Sequence, residues 1–573
     1  MAWYDEAVFY HIYPLGLTGA PKQNSYGEPV HRLNTLLPWI SHIKEIGCNA
    51  IYIGPLFESV GHGYETTDYK KLDSRLGTNE DLTNFVAECH KQGIRVIFDG
   101  VFNHTGRDFF AFQDIKHNRE NSQYKDWYCN VNFWGNNSYN DGFSYENWGG
   151  YDLLAKLNQH NPAVKDYICD VIRFWVSEFG VDGIRLDAAD VMDFEYMKAL
   201  RRVANEVKQD FWLMGEVIHG NYSRWANGDT LHSVTNYMLH KALYSGHNDH
   251  NYFEVAHTIT YVQGMVGSKL NLYSFVDNHD VERIYTKLSN KAHFVPVHVM
   301  LYTLPGIPSL YYGSEFGIEG RKERHSDDSL RPALNYEDYK DAVKTNECTK
   351  LIAALGKIRQ NTPALMYGEY KELLLQTTHF AYARVLDGKA VITTVNNADN
   401  EVSMNLAAGN SAEYVGALTG QKISVNGGRI QVTVPGNFGE IWIPAEMIGK
   451  SIAPIKTVEI KKAPAPKVEP KAAEPVKVVE IPKQEETKPV ETVKTVEQPK
   501  VEVSKKEETK VETKTEKVVV DWNKSYEDMT IEELQEVILE KMRKNGPVTD
   551  YMLGTVRENT HHGSLVNWAR SFM

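Results

Sequence analysis

The 573-residue chain has no long apolar run, no closely paired cysteines and no excess of basic charge. Its first residues, Met1-Ala2-Trp3-Tyr4-Asp5-Glu6, carry neither a basic segment nor an apolar stretch. No signal peptide or membrane span is expected from them, and the cytoplasm is the expected compartment. The five cysteines (Cys48, Cys89, Cys129, Cys169, Cys348) are odd in number and scattered, with no C-x-x-C. That pattern fits a reducing compartment and argues against both a disulfide framework and a zinc site. A net charge of −13 gives no reason to expect nucleic acid or an anionic membrane as partner. What is present is a 42% hydrophobic share, enough for a large core and more than one domain. The 11 Trp and 32 Tyr would serve a sugar cleft, although such rings more often fill cores.

A second absence divides the chain. Residues 451–520 contain no glycine and no aromatic side chain, only Lys, Glu, Val, Thr, Pro and a few others. Such a stretch cannot build a core, so residues 447–520 are expected to form a disordered linker. Before it, residues 1–368 alternate short apolar runs with helical patterns. The candidate strands are Val8–Tyr13, Asn49–Ile53, Arg95–Asp99, Gly183–Asp187, Phe211–Glu216, His232–Asn236, Leu272–Asp277 and Ile307–Tyr312. Helical patterns such as Asp81–Gln92, Pro162–Phe179 and Met192–Val207 lie between them. The expected fold class is therefore α/β, a (β/α)8 TIM barrel. Residues 103–161, rich in Asn, Tyr, Trp and Gly, are too long for a plain loop and are expected to be an inserted domain after the third strand. Residues 369–446 show short alternating runs with Gly and Asn turns, the pattern of an antiparallel β-sandwich domain.

The tail, residues 521–573, regains a helical pattern. Thr530 and Glu533 form a capping-box pair ahead of Ile531, Leu534, Ile538 and Met542 on one face. Pro547 and Leu565–Phe572 mark two further helices. A tethered helical module raises local concentration near a partner, either another protein or a glucan held by Trp522, Tyr551 and Trp568. So small a unit needs such aromatics for its core, Trp568 above all, and docking of another protein is the expected role.

Chemistry centres on Val181–Asp190, V-D-G-I-R-L-D-A-A-D. A short apolar alternation ends in Asp187, with Arg185 two residues earlier on the same face of the strand. A guanidinium there is expected to hold Asp187 ionised, as a nucleophile must be; a buried ion pair would look the same. Other strands break the tie. Asp99 with Asn103 and His104, Glu216, and the run Asp277-Asn278-His279-Asp280 also stand at strand ends, where barrel active sites collect. Carboxylates with histidines and no Ser or Cys nucleophile motif fit glycoside hydrolysis or metal-assisted hydrolysis. The first strand offers only His11, not the His-x-His usual in barrel metallohydrolases, so glycoside hydrolysis leads.

The stretches D-G-V-F-N-H (Asp99–His104), G-I-R-L-D (Gly183–Asp187), G-E-V (Gly215–Val217) and F-V-D-N-H-D (Phe275–Asp280) resemble the four ordered signature regions of the α-amylase superfamily. H-G-Y-E-T-T-D-Y (His62–Tyr69) and G-I-P-S-L-Y-Y-G-S-E (Gly306–Glu315) fit the same pattern, over roughly the first 445 residues. The resemblance implies Asp187 as nucleophile, Glu216 as general acid/base and Asp280 as the carboxylate stabilising the transition state. It further implies Arg185, His104 and His279 as sugar ligands, Tyr64 as a stacking platform, and Asp327 with Arg331 as a bordering pair. The apolar run Phe211–Met214 before Glu216 favours the protonated form an acid needs. Asn103 matches a calcium ligand of that family, yet Asp190-Val191 stands where many strict α-amylases carry Lys-His. No cofactor is expected to be required, with Ca2+ the one ion in question. L-L-A-K-L-N (Leu153–Asn158) resembles the M-P-K-L-N marker of the neopullulanase and cyclomaltodextrinase branch, although the extra N-terminal β domain usual there is not seen. The leading expectation is a retaining hydrolase of α-1,4-glucosidic bonds in maltooligosaccharides and starch fragments, of α-amylase type. Neopullulanase, cyclomaltodextrinase or transglycosylase chemistry on the same site is the alternative. A non-catalytic glucan-binding scaffold ranks last, because all three carboxylates are present.

Overall fold

A computed structural model of the chain describes residues 2–267, 270–324, 326–448, 524–526 and 528–545, with the single positions Val556, Leu565 and Ala569. Eight short strands form one parallel sheet: β1 (Phe9–Ile12), β2 (Ala50–Ile53), β3 (Arg95–Gly100), β4 (Gly183–Leu186), β5 (Trp212–Gly215), β6 (Ser233–Val234), β7 (Tyr273–Phe275) and β8 (Ile307–Tyr311). Their spatial order is β6-β5-β4-β3-β2-β1-β8-β7. A parallel bridge between Thr235 and Tyr273 closes the ring, with the Asn236 amide donating to the Tyr273 carbonyl at 2.8 Å. All eight candidate strands lie in this barrel.

Alternation along the strands sorts the core. Phe9, Tyr52, Ile97, Trp212, Met214, Tyr273 and Phe275 fill the interior together with Trp3 and Tyr4, which plug its lower end. Trp212 stacks on Phe9 with ring centroids 5.2 Å apart and on Tyr4 at 5.6 Å. Their neighbours Tyr10, Ile51, Val96, Ile184 and Leu213 face the surrounding helices. Caps shift the helix starts from the apolar pattern. The helix expected at Asp81 begins at Asn79, because Thr78 and Asp81 form a capping box. The one expected at Met192 begins at Phe194, because the Asp193 carboxylate accepts the Tyr196 amide at 2.8 Å.

The inserted segment contains a helix (Phe110–Asn118) and a small antiparallel sheet of His104–Thr105, Tyr151–Lys156 and Asn147–Trp148. Beyond the barrel, six antiparallel strands between Glu369 and Pro444 form one sheet, and Val402–Ala407 pairs with Arg429–Val434 in a second. Ala381, Ile392, Met404, Leu406, Ile430, Val432 and Trp442 make the core between them.

In the tail, the helix Ile531–Asn545 starts with the expected capping box: Glu533 accepts the Thr530 amide at 2.8 Å, and Thr530 accepts the Glu533 amide at 3.2 Å. Leu534, Val537, Ile538 and Leu539 are buried with Met529, Val556, Leu565 and Ala569. The linker expected at 447–520 starts one residue too early, because Met447 closes a short helical turn, Ala445–Met447. Residues 449–520, the helix after Pro547, and Trp522, Tyr551, Trp568 and the Met542 side chain fall outside the described residues, as does Leu565–Phe572 apart from helical Leu565 and Ala569. Among the described residues, no helix is long and apolar enough to cross a membrane.

Candidate active site

β3, β4 and β5 run side by side in parallel register, with Asp99 opposite Arg185 and Arg185 opposite Met214. The ladder carries one step past the strands: the Asp187 amide donates to the Gly100 carbonyl at 3.1 Å, and the Glu216 amide to the Leu186 carbonyl at 2.9 Å. Register therefore sets Asp99, Asp187 and Glu216 around one guanidinium. Arg185 Nη1 donates to Asp99 at 2.9 Å and to Asp187 Oδ1 at 2.8 Å, while its Nη2 lies 2.9 Å from Glu216 Oε2. Ala188, in the left-handed region at φ 48°, turns its amide onto Glu216 Oε2 at 3.1 Å.

The fourth carboxylate arrives from the loop after β7. Asp280 Oδ1 is 2.9 Å from Arg331 Nη2, and Asp280 Oδ2 is 3.1 Å from His279 Nε2. Arg331 also binds Asp327 at 3.2 Å and donates to the His279 carbonyl at 3.0 Å. Tyr64 lies over the same spot; its hydroxyl donates to Asp99 at 3.1 Å and contacts His279 Nε2, with the two rings stacked 5.7 Å apart. His104 is buried, and its Nε2 donates to the Tyr64 carbonyl at 3.1 Å. The nine residues expected to form the catalytic and sugar-binding site are thus gathered at one end of the barrel by direct contacts or a shared partner.

Charge in this pocket is lopsided. Burial pushes the Asp187 carboxyl up, Arg185 pulls it down, and Glu216, Asp99 and Asp280 push it up again, with the net direction up. This corrects the expectation drawn from Arg185 alone: burial and three neighbouring carboxyls outweigh one guanidinium. Burial likewise leads in raising Glu216, against the pull of Arg185. A raised Glu216 is a competent proton donor. Burial drives His104 down to about 3 and His279 well below the usual range, so both imidazoles are neutral hydrogen-bonding groups.

Several contributors had no assigned role in the sequence. Asp99 was only a strand-end carboxylate, yet it anchors Arg185 and accepts from Tyr52 at 2.9 Å. Tyr237 donates to Glu216 Oε1 at 3.4 Å and accepts from Asn278 at 3.1 Å. His11 stacks on Tyr52 at 4.2 Å beneath His279. Alternation on β1 and β2 is the signal that would have found His11 and Tyr52.

Asn103 is already engaged within the protein. Its Oδ1 accepts from Gln159 Nε2 at 3.0 Å, and Gln159 Oε1 accepts the Asp193 amide at 2.7 Å, all buried or half-buried. Among the described residues no cluster of three His, Cys, Asp or Glu is placed to hold a metal. Gln159 thus takes up one of the two lone pairs of the oxygen that the resemblance assigns to Ca2+.

A model of the alpha-amylase catalytic domain matches residues 23–366. A cyclomaltodextrinase of Thermoanaerobacter pseudethanolicus is 31% identical over 422 residues, 70% of this chain and 71% of that one. Neopullulanase 2 of Thermoactinomyces vulgaris is 28% identical over 458 residues, covering 75% of this chain and 76% of that one. Among solved structures, Ttha1563 from Thermus thermophilus superposes with a TM-score of 0.68 at 28% identity, spanning 78% of this chain and all of that one.

Proposed function

The chain belongs to the α-amylase catalytic-domain family, a glycoside hydrolase family, and from that premise we propose that it is a retaining hydrolase of α-1,4-glucosidic bonds in short maltodextrins. The relatives named cyclomaltodextrinase and neopullulanase favour that kind of enzyme over a plain α-amylase of long starch. One observation carries the mechanism: a single guanidinium, Arg185, clamps Asp187 and Glu216 at the ends of adjacent strands. In the proposed reaction, Asp187 attacks the anomeric carbon while Glu216 gives its proton to the departing glycosidic oxygen. A covalent glucosyl ester forms on Asp187. Glu216, now a carboxylate, takes a proton from water, whose oxygen displaces Asp187 and releases the sugar with its α configuration retained. Asp280 faces the positive charge that develops on the ring, and Arg331 holds it in place.

Proton NMR of the first product from maltoheptaose is expected to read the α-anomer, and the products from a cyclodextrin and from pullulan place the specificity. A β-anomeric first product overturns the mechanism; starch cleaved in preference to cyclodextrin returns the α-amylase reading. We further propose that the fold needs no Ca2+, since Gln159 fills the place of a ligand at Asn103. EDTA is then expected to leave the melting temperature unchanged, and a drop of several degrees would count against that reading.

A further inference from the structure

The inserted domain presents aromatic rings to solvent. Trp134 is 97% exposed, Tyr151 69% and Tyr139 50%. A folded segment rarely leaves a tryptophan with no packing partner, and these three sit on ordered backbone rather than on a frayed loop. Asn136 donates to Asn140 at 3.1 Å and accepts the Gly142 amide at 3.0 Å. The Asn137 amide group spans Asp141 and the Phe143 carbonyl, both at 2.9 Å. Asp152 accepts the Ser138 amide at 2.7 Å, which ties this loop to the strand that begins at Tyr151. Tyr139 lies with one face on the Arg107 guanidinium, 3.7 Å from the ring centroid. Arg107 in turn is fixed by Asp141 at 2.7 Å and the Tyr145 hydroxyl at 2.8 Å. The rings are held out by a hydrogen-bonded frame.

Two further features say what they are held out for. In a chain that is 24% charged, no exposed position in 132–142 or 147–151 carries a charge; they are Asn, Ser, Gly, Trp and Tyr. Apolar ring faces bordered by amides match a neutral polyhydroxyl chain, whose sugar rings have apolar faces and hydroxyl rims, and match neither a nucleic acid nor a charged protein surface. The strand Tyr151–Lys156 also connects these rings to the active site, since Lys156 pairs with His104. Five residues of strand put Tyr151 about 16 Å from that level, the span of several glucose units.

We infer that Trp134, Tyr139 and Tyr151 form an accessory platform that holds the outer stretch of an α-glucan chain whose inner stretch enters the barrel site. The inference rests on the α-glucan reading of that site and adds a length preference to it. In the full chain, Trp134→Ala, Tyr151→Ala and the double variant are compared with the parent by retardation in native gels containing soluble starch, by kcat/KM on soluble starch and on maltotriose, and by sedimentation velocity. These side chains are exposed, so the fold is expected to survive. The double variant should lose roughly tenfold in starch retardation and in kcat/KM on starch, with kcat/KM on maltotriose unchanged within about twofold. Unchanged retardation overturns the platform, as does an equal loss on both substrates. A change in sedimentation without a change in retardation also overturns it, and makes the patch a contact between copies of the chain. A parent enzyme that cleaves neither substrate rejects the catalytic reading, while the difference in gel retardation still decides on the platform.

Discussion

One strand of the barrel carries a buried carboxylate at each end, and the two have opposite fates. Asp182, just below β4, is bonded by His90 at 2.7 Å, Arg95 at 2.8 Å, Lys208 at 2.6 Å and the Val96 amide at 2.9 Å. Burial pushes its carboxyl up, but His90, Lys208, Val96 and Arg95 together bring it below the usual range. Asp187, just above β4, shares the single cation Arg185 with Asp99 and Glu216, and its carboxyl is pushed up. Burial is common to both. The count of cations per carboxylate differs, and it decides whether the ionised form of a buried acid is favoured and braces the fold, or is disfavoured, as reactive groups often are.

The sharpest break of this contrast is Asp187→Asn. Turnover of maltoheptaose is expected to fall by about four orders of magnitude, because the proposed nucleophile is gone while the shape is kept. Measurable activity in a contamination-free preparation would put the nucleophile elsewhere. The same variant is expected to melt higher than the parent at pH 7. A carboxyl whose folded pKa is raised favours the fold when protonated, and that contribution is lost as pH rises from about 4 through the folded value. Removing the charge abolishes the loss.

Asp182→Asn should behave in the opposite sense. It leaves Arg95 and Lys208 facing a neutral amide and is expected to cost about 3 kcal/mol at pH 7. Its folded pKa is depressed, so its stabilisation is present above about pH 4 and lost as pH falls further. Chemical denaturation at pH 7 and at pH 3 checks this, together with an unchanged kcat for the folded fraction. If kcat falls as turnover does in Asp187→Asn, the two ends are not separable.

The smallest effect expected is none. Deleting residues 451–573 is expected to leave hydrolysis of maltoheptaose unchanged, because every residue proposed to act lies between Tyr64 and Arg331. A large loss would place part of the tail in the catalytic unit.

The barrel was legible because its strands are short, apolar and bounded by turns, and their ends were marked by motif residues. Register could then be inferred from Asp99, Asp187 and Glu216 standing at equivalent strand ends. The strands Glu369–Leu375 and Lys422–Ser424 were not, since they carry exposed or half-buried polar residues without a clean alternation. In the inserted domain, strands of two residues leave too little periodicity to read. The direction of the Asp187 shift was hidden for another reason. Arg185 is its neighbour in sequence, whereas Glu216, Asp99 and Asp280 become its neighbours only when the barrel closes.

The arrangement around Glu216 has a directional consequence. Its Oε2 is held by two donors, the Ala188 amide and Arg185, while Oε1 faces the Tyr237 hydroxyl at the longer distance of 3.4 Å. An oxygen that already accepts two strong hydrogen bonds is the poorer place for a proton, so in the proposed double displacement the proton leaves from Oε1 and the next one returns to it. The residue works as a one-door chamber. Traffic in both half-reactions passes the same atom, and the turn at Ala188 keeps the other door shut without taking part in either.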